Sequence, residues 1–159
     1  MSITYRPPSK SDGKSIHQLV RDSKTLDINS AYLYFLLADH FHDTCVVAER
    51  NGQIVGFVSA YRLPARPQTL FIWQIGVATS TRGQGVASRM LQELEKRPFF
   101  EDVDEIQLTI SPSNQASQAL FHKWARRLDT TLNARPYLTE ADLGNEHEPE
   151  LLYSMSLNK

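Results

Sequence analysis

At 159 residues the chain can hold one domain with a real core but not two comfortable ones. Its 41% hydrophobic and 22% charged residues are the balance of a globular protein, and a formal net charge of −1 sets up no field to draw nucleic acid or a membrane surface as partner. No membrane span or signal-peptide core is visible, and one cysteine, Cys45, makes no internal disulfide, so the expected setting is a reducing cytoplasm.

Residues 3–6 form a short strand candidate, closed by Pro7-Pro8. Ser11-Asp12 offers an N-cap for a helix carrying Ile16, Leu19 and Val20. Polar residues cluster over 21–29 and predict a loop. A second helix is expected over about 30–41, capped by Asn29 or Ser30. Its apolar residues Tyr32, Leu33, Phe35, Leu36, Leu37 and Phe41 nearly encircle it, which predicts a largely covered helix. Residues 44–50 alternate into Asn51-Gly52, and 53–62 continue, the pattern of a hairpin with a type I′ turn. Cys45 lies in the first of these runs and is expected to be buried packing rather than a nucleophile. Pro64 and Pro67 make 63–69 read as a loop.

The most informative stretch is 70–96. It opens with a β-branched and aromatic strand over 70–77, then a polar turn, then Arg82-Gly83-Gln84-Gly85-Val86-Ala87. A helix follows with Val86, Met90, Leu91 and Leu94 on one face. The glycines let backbone approach a ligand, and the first-turn amides have no intrahelical partner at an electropositive helix end. Strand, glycine turn and helix start together suit a diphosphate, although two glycines alone would only make a tight connection. The three-glycine dinucleotide fingerprint is absent, and no Lys-Ser/Thr follows Gly85 as a Walker loop needs.

An acidic connector over 101–105 leads to a strand at 106–110. Ser111-Pro112-Ser113-Asn114 breaks it and caps a helix carrying Ala116, Ala119, Leu120, Phe121 and Trp124, with Arg126-Arg127 in its last turn. Residues 129–145 carry one possible strand at 136–138, and 151–157 alternate as a closing strand. This order gives an α/β fold with a sheet of mixed direction.

The run Ile75-x-Val77-x-x-x-x-Arg82-x-x-Gly85-x-Ala87 resembles the acetyl-CoA-binding motif of the GNAT superfamily of N-acetyltransferases, and Asn114-x-x-Ser117-x-x-Leu120-Phe121 resembles its second motif. The resemblance implies a single GNAT domain over 1–159, a mixed, mostly antiparallel sheet flanked by helices, and acetyl-CoA as co-substrate without a metal. It places Ile75, Gly76 and Val77 on the pantetheine arm, and Arg82, Gly83, Gln84, Gly85, Val86 and Ala87 around the diphosphate. Asn114, Ser117 and Phe121 join them as cofactor contacts. Two departures stand out. Many members have an acidic Tyr where this chain has Phe121, which has no proton to give, and several place a Glu base where it has Trp73-Gln74.

A narrower likeness runs through Leu26-Asp27-Ile28-Asn29-Ser30-x-Tyr32-x-Tyr34, Phe57-Val58-x-Ala60-Tyr61-x-Leu63-Pro64, Phe71-x-Trp73-Gln74-Ile75-Gly76-Val77 and Gly144-x-x-His147-x-x-Glu150-x-Leu152. These segments resemble L-2,4-diaminobutyrate acetyltransferases, which acetylate a γ-amine on the route to ectoine. That implies direct attack in a ternary complex, and a homodimer for which the aromatic helix over 30–41 offers a surface. Asp27, Trp73, Glu150, Tyr34 and His147 become the candidates for catalysis. Asp27, Asn29, Tyr32, Tyr61, Arg62, Trp73 and Glu150 become the candidates for the diamino acid substrate. The chemistry agrees: two ammonium groups call for carboxylates such as Asp27 and Glu150, one carboxylate for a cation such as Arg62, and proton transfer for a His. The hydroxyls of Tyr32, Tyr34, Tyr61 and Tyr153 are all open as replacements for the missing acid. Two other readings stay open: an acetyltransferase for a polyamine or aminoglycoside, and a non-catalytic acyl-CoA-binding module.

Overall fold

Local chemistry decides where the elements begin and end. The computed structural model describes residues 2–157. Its strands are β1 (Thr4–Arg6), β2 (Val46–Arg50), β3 (Gln53–Leu63), β4 (Arg66–Val77), β5 (Glu105–Ile110), β6 (Asn133–Leu138) and β7 (Glu150–Ser156). Its α-helices are α1 (Gly13–Ser23), α2 (Ala31–His40), α3 (Val86–Glu95) and α4 (Gln115–Arg127). Asn51 and Gly52 both take positive φ, 54° and 76°, as a type I′ hairpin between β2 and β3 requires. Ser30 caps α2, its hydroxyl accepting from the Leu33 amide at 3.4 Å. The sheet order is β1-β2-β3-β4-β5-β7-β6. β4 and β5 run parallel, while β1–β2, β2–β3, β5–β7 and β6–β7 are antiparallel. The expected mixed, mostly antiparallel α/β architecture is what forms.

The chain divides into two compact units, one comprising residues up to Tyr61 and Trp73–Glu101, the other Arg62–Ile72 and residues from Asp102 onward. In the first unit, Ile16, Leu19 and Val20 of α1 and Tyr34, Leu37 and Ala38 of α2 bury against Cys45, just before β2, Val47 of β2 and Phe57 of β3. Helix α3 buries Val86, Met90, Leu91 and Leu94. A Cβ at Gly56 of β3 would lie 3.0 Å from the Met90 Cε and 3.1 Å from the Val86 Cγ1, so α3 packs closely on the strand there. In the second unit β5 buries Ile106, Leu108 and Ile110 in alternation, and β7 lies alongside with Leu108 opposite Tyr153. Helix α4 buries Phe121, Trp124 and Ala125.

Three expectations change. Helix α2 is not largely covered: Tyr32 is 73% exposed, and Phe35 and Phe41 are exposed too, because only the Tyr34, Leu37 and Ala38 side meets the core. The stretch 63–69 is not a loop, since β3 ends at Leu63 and β4 starts at Arg66. Pairing with β5 begins only at Thr69, so β5 never needs the amide that Pro67 lacks. Residues 133–135, read as irregular, extend β6 because Ala134 and Arg135 pair with Tyr153 and Leu152.

Candidate active site

The glycine turn of the first unit is anchored just ahead of the exposed segment. The Ala78 amide donates to the Val55 carbonyl at 2.8 Å, and buried Thr81 donates its hydroxyl to the Ala78 carbonyl at 3.1 Å. From Arg82 to Gly85 the chain is exposed, with Gly83 and Gly85 at φ 79° and 76° and open space wherever a Cβ would sit. Gly85 is the N-cap of α3 and has no side chain with which to cap the first-turn amides. An electropositive helix end, left-handed glycines and the exposed Arg82 fit a diphosphate. Ile75, Gly76 and Val77 end β4 half-buried, Gln84 is exposed, and Val86 and Ala87 begin α3.

Trp73 and Gln74 alternate on β4, so they face opposite sides of the sheet. The Trp73 indole is 40% exposed; Gln74 is buried and fully engaged. Its side-chain amide donates to the Asp27 carbonyl at 2.7 Å and accepts from the Tyr34 hydroxyl at 3.0 Å, while its backbone N–H donates to the Ser59 hydroxyl at 3.0 Å. Asn29 Nδ2 donates to the Tyr34 oxygen at 3.5 Å. Asp27 itself is exposed on the linker between α1 and α2. The Tyr34 ring is fully enclosed, and its hydroxyl donates to Gln74. Tyr32 points its ring outward, and Tyr61 packs on Phe41 with centroids 6.3 Å apart.

In the second unit, Glu150 opens β7 half-buried and accepts from the Thr109 hydroxyl at 3.2 Å. The His147 Nδ1 lies 2.6 Å from the Glu148 carbonyl. A carbonyl only accepts, so Nδ1 carries the proton, and in the neutral ring Nε2 is the basic nitrogen. Glu148 is held in turn by the Ser113 hydroxyl. Asn114 caps α4 by accepting from the Ser117 amide at 3.1 Å. Phe121 is buried against Trp124 with ring centroids 6.4 Å apart. Arg62 donates from Nε to the Pro67 carbonyl at 2.6 Å, a bond within its own strand connection.

Burial pushes the Cys45 thiol up to about 12 and outweighs the Ala60 backbone and the Arg97 charge, which lower it, so it stays protonated. Among the described residues no cluster of three His, Cys, Asp or Glu side chains has metal-binding geometry, and no helix is long and apolar enough to cross a membrane. A groove of about 550 Å³ runs between α1, the β2–β3 turn and the end of β4, lined by Ser15, Gln18, Asp22, Ile54 and Thr79 among others; Val77 is the one candidate residue in it. Gln74 is the residue whose part the sequence concealed. Its only signal is position: it follows Leu70 and Ile72 on the inward alternation of β4, where a buried polar side chain must find partners.

Residues 14–125 match the model of the Acetyltransferase (GNAT) family. The chain is 46% identical over 154 residues to the L-2,4-diaminobutyric acid acetyltransferase of Marinococcus halophilus, covering 96% of this chain and 88% of that one. It is 45% identical over 151 residues to the protein of the same description from Halomonas elongata, covering 94% and 79%. The diaminobutyrate acetyltransferase EctA of Paenibacillus lautus, solved in complex with its substrate L-2,4-diaminobutyric acid and coenzyme A, is similar with a TM-score of 0.95 and 40% identity over 99% of this chain and 98% of that one.

Proposed function

The chain belongs to the GNAT family of acetyltransferases, and from that premise we propose that it transfers the acetyl group of acetyl-CoA to the γ-amine of L-2,4-diaminobutyrate. The observation that carries this is near-full-length similarity, at 40% identity and a TM-score of 0.95, to an enzyme solved with that amino acid and coenzyme A. The γ-nitrogen lone pair attacks the acetyl carbonyl carbon, the new C–N bond replaces the C–S bond, and the departing thiolate takes up a proton while the nitrogen loses one. No nucleophilic side chain is needed, which suits a chain whose one thiol is buried and protonated.

The residues divide the work. Arg82 and the amides of 83–87 hold the diphosphate, and the backbone of Ile75 to Val77 holds the pantetheine arm and supplies an amide to the developing oxyanion. Asn114, Ser117 and Phe121 complete the cofactor contacts. Asp27 and Glu150 take the two ammonium groups, with Asn29, Tyr32 and Tyr61 as further polar contacts and Arg62 for the carboxylate. The half-exposed indole of Trp73 shapes the space around the amine. The Nε2 of His147 relays the amine's proton. Tyr34 serves as support rather than as the acid.

Thiol release from acetyl-CoA, run across diaminobutyrate, polyamines and aminoglycosides, tests the reading. Turnover with diaminobutyrate and a γ-N-acetyl product is expected. Coenzyme A binding without turnover would leave a non-catalytic binding module. Asp27→Ala and Glu150→Ala should each lower kcat/KM for diaminobutyrate by about ten- to a hundredfold, with acetyl-CoA KM nearly unchanged.

The chain acts as one domain in the cytoplasm, and as a homodimer. Exposed Ile28, Tyr32, Phe35 and Phe41 give the linker and α2 an apolar, aromatic face suited to a second copy. A dimer mass is expected in size-exclusion light scattering, and a monomer at working concentration would overturn that assembly.

A further inference from the structure

Gln74 stands where a base is expected in related enzymes, and its surroundings give it a different task. The Asp27 carbonyl can only accept, so the atom facing it at 2.7 Å is the amide nitrogen. The amide oxygen therefore faces Tyr34, and the Tyr34 hydroxyl must donate to it at 3.0 Å. With its proton spent, the Tyr34 oxygen accepts from Asn29 Nδ2 at 3.5 Å. The polarity of the chain is fixed: Asn29 to Tyr34 to Gln74 to the Asp27 carbonyl. It leaves the linker and returns to it two residues away, around Ile28. The Gln74 backbone amide donates to the Ser59 hydroxyl at 3.0 Å, which fixes the stretch of strand from which the side chain reaches the linker. Next to it, the Leu26 Cδ1 lies 2.9 Å from where a Cβ on Gly76 would be, so the linker also packs directly on β4.

We propose that Gln74 and Tyr34 are positioning residues that fix the linker on β4 and so set the affinity for the diamine. The inference rests on the reading of Asp27 as an ammonium anchor. A carboxylate held on an exposed linker is entropically costly to aim. Holding the Asp27 carbonyl on one side of Ile28 and the Asn29 side chain on the other removes that cost before substrate arrives.

The test is a mutant cycle on the full-length enzyme, with KM measured separately for diaminobutyrate and acetyl-CoA. Gln74→Glu keeps the shape but replaces the donor to the Asp27 carbonyl with an acceptor. It is expected to raise diaminobutyrate KM about tenfold, with acetyl-CoA KM unchanged and kcat changed much less. Tyr34→Phe removes the donor to Gln74 and is expected to raise the same KM by a few-fold, and it guards against a Gln74→Glu chain that does not fold. In the Asp27→Ala background, Gln74→Glu should add nothing, because nothing is left to aim. If Gln74→Glu and Tyr34→Phe leave diaminobutyrate KM at the wild-type value, or raise both KM values alike, the positioning role is overturned. If Asp27→Ala alone has no effect, the anchor reading fails instead.

Discussion

Two segments flank strand β4 in the first unit, and they are built by opposite means. The turn into α3 uses backbone alone: left-handed Gly83 and Gly85, exposed, with open space around both. The linker between α1 and α2 is held by side chains that come from far away in sequence, Gln74 lying 47 positions from Asp27 and 40 from Tyr34. A turn that must admit a diphosphate works through amides and needs no side chain in the way. A linker that must tell one small amine from another needs a carboxylate held in place, which takes a scaffold. On the proposed assignment, the same strand ends in a general cofactor site and carries, a few residues earlier, the supports of a selective one.

The strongest way to break the linker's side of this contrast is at its frame. A Cβ on Gly13 of α1 would lie 2.6 Å from Phe35 Cδ1 and 3.0 Å from the Phe35 Cα. The ring tip can turn away but the backbone cannot, so α1 and α2 must part. Gly13→Ala should cost about 1–3 kcal/mol of unfolding free energy in urea, reduced somewhat by alanine's better helix propensity. Diaminobutyrate KM should rise with it and acetyl-CoA KM should hold. An unchanged urea midpoint would show that the two helices tolerate separation.

The mirror experiment is Gly85→Val. No neighbour would be struck, but a β-branched residue at φ 76° carries about 1–2 kcal/mol of strain. Relief of that strain moves the amides off their aim, and acetyl-CoA KM should rise roughly ten- to thirtyfold while diaminobutyrate KM stays put. Equal rises in both would erase the division of labour between the segments.

The contrast also explains what could be read from the chain alone. The glycine turn is local, so its spacing predicts its shape, and the Asn51-Gly52 hairpin is legible for the same reason. Cys45 reads correctly as packing because it sits in an apolar run, and it is fully buried. What fails is whatever depends on partners distant in sequence. The apolar ring around α2 reads as a covered helix, yet burial is set by which side meets Cys45, Val47 and Phe57, and Tyr32 is left outside. Pro67 reads as a breaker because the sequence does not reveal that pairing with β5 starts two residues later. Gln74 reads as a missing base, since the carbonyl and hydroxyl that occupy it belong to another part of the chain.

The mildest test separates stability from either KM. Asp12 lies at the entry to α1, at the opposite end of the helix from the linker, and accepts from Arg6 at 2.8 and 3.1 Å and from the Ser9 amide at 2.7 Å. Burial pulls its carboxyl upward, but the Arg6 and Ser9 hydrogen bonds together outweigh it and hold the group below the ordinary carboxylate value. A folded-state pKa below the unfolded one stabilises above the unfolded value, near pH 4, and that stability is lost as pH falls through the folded value. Asp12→Asn should therefore be less stable than the parent by about 1 kcal/mol near neutral pH, a modest figure because Arg6 is partly solvated. The urea midpoints of the two proteins should converge as pH falls from about 4 through the folded-state value, below which the parent's carboxyl is protonated as well. Both KM values should be unaltered, because the Asp12 bonds to Arg6 and Ser9 stiffen the approach to α1 without touching the linker or the glycine turn. A gap in stability that persists undiminished at low pH would mean that Asp12 acts through packing, not charge. A change in diaminobutyrate KM would mean that α1 transmits strain along its whole length to Asp27, and that the linker is held from its helix as well as from β4.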